Sequence, residues 1–197
     1  MIYNPAMSTY ANTLKVKDAL PVYFSQYHFK DGGYNLKWFK IKLGRFFIPL
    51  PNIKARVDAV KIHDVNHLIT EYTADYKGEA EIGAWEIASG CGKYYVAWIL
   101  NLGSFFIGMF LYPGFLLRAF LRGRKCANSL YNHPYDEALL NKTIGELRQI
   151  IEMDASKKSS LKDYCAFALW CFISLCYHTG IVFLFFFAIY KMYILLF

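Results

Sequence analysis

The last 34 residues, 164–197, constrain what this chain can fold into more than any other feature. They read "YCAFALWCFISLCYHTGIVFLFFFAIYKMYILLF", and only His178 and Lys191 interrupt them as possible charges. As one helix the stretch would measure about 51 Å, against a bilayer hydrocarbon core of about 30 Å. It therefore predicts either one tilted, projecting transmembrane helix or a hairpin bent at His178-Thr179-Gly180. A second apolar stretch, residues 94–121, also exceeds the roughly 20 residues a span needs. It carries Asn101, Gly103, Gly108, Pro113 and Gly114. Pro113-Gly114 divides it into unequal pieces, which predicts a kinked span or a buried or half-inserted helical pair.

The chain carries a net charge of +7. A nucleic-acid surface would cluster its Lys and Arg on a polar, aromatic-interleaved face. Here the basic groups instead flank apolar segments: Lys37, Lys40, Lys42 and Arg45, then Arg118 to Lys125, then Lys157, Lys158 and Lys162. That arrangement suits anionic lipid and argues against nucleic acid as a partner. The lysines ahead of residue 164 put the folded domain on the cytoplasmic face by the positive-inside bias, at the inner membrane in a bacterium. Five cysteines (Cys91, Cys126, Cys165, Cys171, Cys176) form no CxxC pair. Three lie in the last apolar stretch, so reduced thiols are expected rather than a disulfide framework. Residues 1–20 lack the basic start and apolar run of a secretory signal.

Residues 1–20 are weakly patterned and read as a loose arm or a short helix. Asp31-Gly32-Gly33 marks a turn. In residues 34–52, Lys and Arg alternate with Trp38, Phe39, Ile41, Phe46 and Phe47. This segment is either an amphipathic element packed on its own domain or an interfacial one, and Pro49 and Pro51 should end it. Residues 52–70 read as a helix with Asn52 as N-cap. A second helix covers residues 79–90 and closes at Gly90 and Gly92. A helical segment with Leu140, Ile144, Leu147, Ile150 and Ile151 on one face follows, and residues 154–160 form a polar hinge.

Chemistry concentrates in "KIHDVNHLITEYTADYKGEAEIGAWE", residues 61–86. His63 and His67 stand four apart, one helical turn on the same face. Asp64 shares the edge of that face. Glu79 follows His67 after eleven intervening residues and reaches the pair if residues 72–78 reverse the chain. Two imidazoles with one or two carboxylates suit Zn²⁺ or Fe²⁺ and leave a position for water or substrate. The plainer reading makes both histidines surface residues among charges. Glu71 continues the histidine stripe, and Glu86 lies seven residues beyond Glu79 on its face. Either is a further candidate ligand, and together they would allow a carboxylate-bridged di-iron site. A carboxylate can instead accept the free imidazole N–H and fix the ring, a role open to Asp64. The motif is not HExxH, so the general-base glutamate of a zinc protease is missing.

"HDVNHLITEYTADYKGE" fits a pattern of HDxxH, eleven residues and Glu, and so resembles the Coq4 family of coenzyme Q (ubiquinone) biosynthesis proteins. "IPLPNIKARVDAVKIHD", "GEAEIGAWEIASG" and "PYDEALLNKTIGELRQIIEM" are similar to the same family, and the likeness covers roughly residues 46–153. The resemblance implies an all-α, membrane-associated domain that binds a polyprenyl lipid. It implies a divalent metal, commonly zinc, on His63, Asp64, His67 and Glu79, and removal of the C1 carboxyl of a quinone precursor with hydroxylation there. It also implies association with other pathway proteins. Residues 164–197 depart from the family's core. A non-catalytic lipid-binding or scaffolding subunit of a membrane complex is the alternative, and a homo-oligomer is compatible with either. The expected organisation is an N-terminal arm (1–33), the Coq4-like metal- and lipid-binding domain (34–155), and a C-terminal membrane anchor (156–197).

Overall fold

The computed structural model describes residues 10–43, 45–127, 129–154 and 156–196. Residues 1–9 of the expected arm lie outside them. The chain runs α1 (Val16–Gln26), β1 (Trp38–Leu43), β2 (Phe46–Pro51), α2 (Lys54–Thr70), α3 (Tyr76–Ser89), α4 (Tyr95–Leu111), α5 (Pro113–Gly123), a 3-10 turn (Leu130–Asn132), α6 (Glu137–Asn141), α7 (Ile144–Ile150) and α8 (Leu161–Leu196). The fold is mostly helical, as expected. One two-stranded antiparallel sheet makes "all-α" true only in outline.

Of the two readings of residues 1–20, the short helix is the one seen where α1 begins at Val16. Val16, Ala19, Leu20, Tyr23 and Phe24 recur at helical spacing, and all five are buried in the core that α2 also enters. The Asp31-Gly32-Gly33 turn forms as expected. Both glycines have positive φ, and the Gly33 N–H donates to Asp31 Oδ1. Residues 34–52 contain a β-hairpin, with Trp38 opposite Pro51 and Leu43 opposite Phe46. Pro49 lies within β2 rather than ending it, whereas Pro51 is the last residue of the strand, as expected. A strand at a sheet edge tolerates proline wherever its nitrogen points outward. Asn52 does not cap α2: Ile53 holds that position, with no side-chain cap. The Asn52 amide instead donates to the carbonyls of Gly33 and Leu36, and its Oδ1 accepts from Arg56.

The expected break at Pro113-Gly114 is the junction of α4 and α5, with Pro113 at the first turn of α5, where it lacks no needed N–H. The two helices pack on α3 through small residues. A Cβ at Gly83 would collide with Ser104 Oγ, and one at Gly123 with the Trp85 carbonyl oxygen. Gly108 likewise fits closely against Leu116 and Ala80. The segment after residue 136 splits into α6 and α7, because Thr143 caps α7 in a capping box with Glu146.

Helix α8 is a single helix of 36 residues, so residues 178–180 do not bend into a hairpin. It is the one helix among the described residues long and apolar enough to cross a membrane. Its first half rests one face on α4 and α5. Trp170 stacks on Trp98, Phe167 meets Phe105 and Phe120, and buried Ser174 donates to the Leu102 carbonyl. From Ile181 onward its large apolar side chains are exposed.

Candidate metal centre

Helix α2 sets His63 and His67 one turn apart, with ring centroids at 4.7 Å and planes nearly perpendicular. Their Nε2 atoms are 3.1 Å apart. The chain then reverses. Glu71 takes a left-handed φ of 64° and ends α2. Asp75 caps α3 by accepting the Gly78 N–H at 2.8 Å, so Glu79 falls in the first turn of α3. Its Oε2 lies 3.4 Å from His63 Nε2, and its Oε1 3.4 Å from His67 Nε2. One donor atom from each of the three residues lies within 4.8 Å of the others.

The hydrogen bonds on the far side of each ring decide what this cluster can hold. His67 Nδ1 is 2.9 Å from the Tyr72 carbonyl oxygen, which can only accept. His63 Nδ1 is 3.1 Å from Glu86 Oε1. Both Nδ1 atoms therefore carry the proton, and in the neutral rings both Nε2 atoms present lone pairs. Two lone pairs and a carboxylate that face one another require a cation between them. Burial works against a charge on His63, but the Glu86 and Glu79 carboxylates outweigh it and hold its pKa well above the usual imidazole value. Burial would raise the Glu79 pKa, yet the His63 and His67 imidazoles that face it pull it below the carboxylate range. Either a proton on His63 or a metal ion can satisfy the triangle. Two imidazoles and one carboxylate, with ring orientation fixed from behind, suit Zn²⁺ and Fe²⁺ alike.

Glu86 is the support for His63. Its side chain is fully buried and accepts from four donors. Oε1 takes His63 Nδ1 and Asn66 Nδ2 (2.7 Å), while Oε2 takes Asn101 Nδ2 (2.6 Å) and the Tyr131 hydroxyl (3.0 Å). It orients the His63 ring rather than joining the three converging groups. Asp64, expected as a fourth ligand, is not among those three either. Its Oδ2 accepts from the Tyr34 hydroxyl, and burial raises its pKa to about 6 against the pull of His63. Glu71 turns away to accept from Arg148 at 3.0 Å. With Glu71 and Glu86 engaged elsewhere, a carboxylate-bridged metal pair lacks its bridges.

Tyr23 of α1 stacks on His67 at 5.4 Å and covers that ring. Glu79 is the most exposed of the three, with 40% of its side chain accessible against 1% for His67, so an incoming group approaches from the Glu79 side. The sequence reading missed Asn66, Asn101, Tyr131, Tyr34 and Tyr23. One signal was present: Asn101 sits alone in an apolar helix, and a buried amide needs a partner. No family model, curated protein or solved structure matches the chain.

Proposed function

We propose that this chain is a Coq4-like, membrane-anchored, metal-dependent protein that acts on the polar head of a prenylated quinone precursor. One observation carries the reading. The Nε2 atoms of His63 and His67 and the carboxylate of Glu79 converge, with both Nδ1 protons already committed. These are three of the four residues of the HDxxH–Glu pattern. A prenylated substrate is insoluble in water, and α8 keeps the chain at the bilayer where such a lipid resides. The basic residues ahead of α8 favour the cytoplasmic face.

His63, His67 and Glu79 would hold the ion, and Glu86 and the Tyr72 carbonyl would fix the two rings. When bound, a divalent ion supplies Lewis-acid polarisation of a carboxylate or phenolate oxygen. The exposed flank of Glu79 admits the head group, and Tyr23 closes the opposite side of His67. In the proposed reaction the C1 carboxyl leaves as carbon dioxide and a hydroxyl replaces it. This is a two-electron oxidation, and a co-oxidant of the dioxygen class must supply it.

Full-length protein purified without chelator is expected to contain close to one equivalent of Zn or Fe and to carry a prenylated lipid detectable by mass spectrometry. Chelation should stop turnover of a carboxylated quinone precursor, and one equivalent of metal should restore it. Protein that lacks turnover with metal bound, and that copurifies with membrane partners, would instead be a scaffolding subunit.

Metal uptake also displaces the proton that His63 otherwise keeps. Affinity should therefore rise about tenfold per pH unit from neutral pH upward and level off above the raised pKa of His63. Calorimetry in buffers of different ionisation enthalpy should detect about one proton released per ion. A pH-independent affinity would show that no proton occupies the triangle.

A further inference from the structure

The β1–β2 hairpin takes no part in the metal centre. Residues 37–51 contain four basic side chains, Lys37, Lys40, Lys42 and Arg45, and no acidic one, against a net charge of +7 for the whole chain. Four apolar side chains of the hairpin are also uncovered. Trp38 is 60% exposed, Phe47 57%, Ile48 43% and Leu50 37%. The register and strand alternation put Trp38, Lys40 and Phe47 on one face, and Phe39, Ile48 and Leu50 on the other. On that second face the Arg56 guanidinium lies 3.8 Å from the centre of the Phe39 ring, while Ile48 and Leu50 stay open. An isolated two-stranded hairpin is marginal in water and needs an apolar surface against it.

We propose that this hairpin docks on an anionic lipid surface, as a membrane contact separate from α8. Two observations favour lipid over another protein strand. Pro49 and Pro51 stand opposite Lys40 and Trp38, so their nitrogens point outward and leave the free edge of β2 without donors at both positions. The free edge of β1 carries lysine, which resists strand addition. The cation-rich, acid-free composition matches a negative leaflet, and Trp38 supplies an aromatic of the kind that settles at headgroup level. The hairpin would tie the folded domain to the surface at a second point and limit its swing about α8. This inference depends on neither the metal nor the lipid substrate.

The test uses the full chain in nanodiscs of phosphatidylcholine, with or without phosphatidylglycerol, with lipids brominated near the headgroup. The emission of native protein minus that of Trp38→Phe isolates Trp38 from Trp85, Trp98 and Trp170. On phosphatidylglycerol discs this difference emission should be blue-shifted and quenched by bromine. Each basic residue near an anionic leaflet contributes about fivefold in affinity, so Lys37→Glu/Lys40→Glu/Arg45→Glu should weaken the contact by at least about 100-fold and abolish the quenching. All three residues are exposed, so the far-UV circular dichroism of the variant should match native protein and exclude misfolding. Unquenched, solvent-like Trp38 emission on both lipids would overturn the proposal. So would Trp38 that is shielded from bromine but cross-links to a second copy, or quenching that survives charge reversal.

Discussion

Replacing Glu86 with alanine is expected to destabilise the full chain by about 3–5 kcal/mol and to weaken metal binding by about 10- to 100-fold. The stability loss follows from what the carboxylate holds. Four donors from three parts of the chain end on its two oxygens: His63 and Asn66 from α2, Asn101 from α4 and Tyr131 from the 3-10 turn. Removing one partner of a buried charged network leaves the others desolvated and unpaired, which costs far more than the net value of the bonds. The affinity loss follows from the His63 ring. Without an acceptor at Nδ1, the ring is free to rotate or to move its proton to Nε2, where it blocks coordination. Glu86→Gln should fall between the two, because its amide group turns donors toward donors on one side while conserving volume. Thermal unfolding in detergent should show a midpoint roughly 10 °C lower for the alanine variant, and chelator competition should give the affinity. A midpoint within about 1 °C of native protein would mean that the four donors find other partners and that Glu86 is not their organiser.

The parts of this site that the sequence revealed are those set by short-range geometry. His63 and His67 are four apart on α2, and Glu79 follows one reversal later, so helical periodicity and a single turn were enough to bring them together. Asp64 shows where periodicity runs out. It is one residue from His63, about 100° around the helix, and the deciding contact is Tyr34, thirty positions away in the chain. Glu86 shares a face with Glu79 but lies two turns deeper, where burial turns a candidate ligand into a support. Asn101 and Tyr131 reach it from distant elements that no local pattern links to it. The hairpin was illegible for another reason: Pro49 looks like a terminator until the strand it occupies is known to be an edge. Helix α8 runs unbroken through His178 and Gly180 because both are compatible with helix. Gly180 costs only about 1 kcal/mol there, and the His178 ring bonds back to the Ser174 carbonyl at 2.8 Å and stacks on Phe106.

Gly78→Ala should abolish stoichiometric metal binding while leaving helix content intact. In an exposed helix the exchange would stabilise by about 1 kcal/mol. Here the added Cβ would collide with the Thr73 carbonyl, part of the connection between α2 and α3, and backbone cannot swing aside as a side chain does. Either the first turn of α3 moves or residues 72–75 do. The first shift carries Glu79 away, since it is the next residue. The second carries away the Tyr72 carbonyl, which holds the proton on His67 Nδ1. Both routes damage the triangle, because metal ligands tolerate displacements of only about 0.2 Å. By the first route the loss should exceed the roughly 100-fold upper range for a disturbed supporting group, because Glu79, a proposed ligand, is itself displaced; by the second it should approach that range. Gly103→Ala is the control: its Cβ would meet nothing within 4 Å, so metal content after dialysis should match native protein. If Gly78→Ala keeps a full equivalent of metal, the ion is held by groups other than Glu79 and the Tyr72-braced His67.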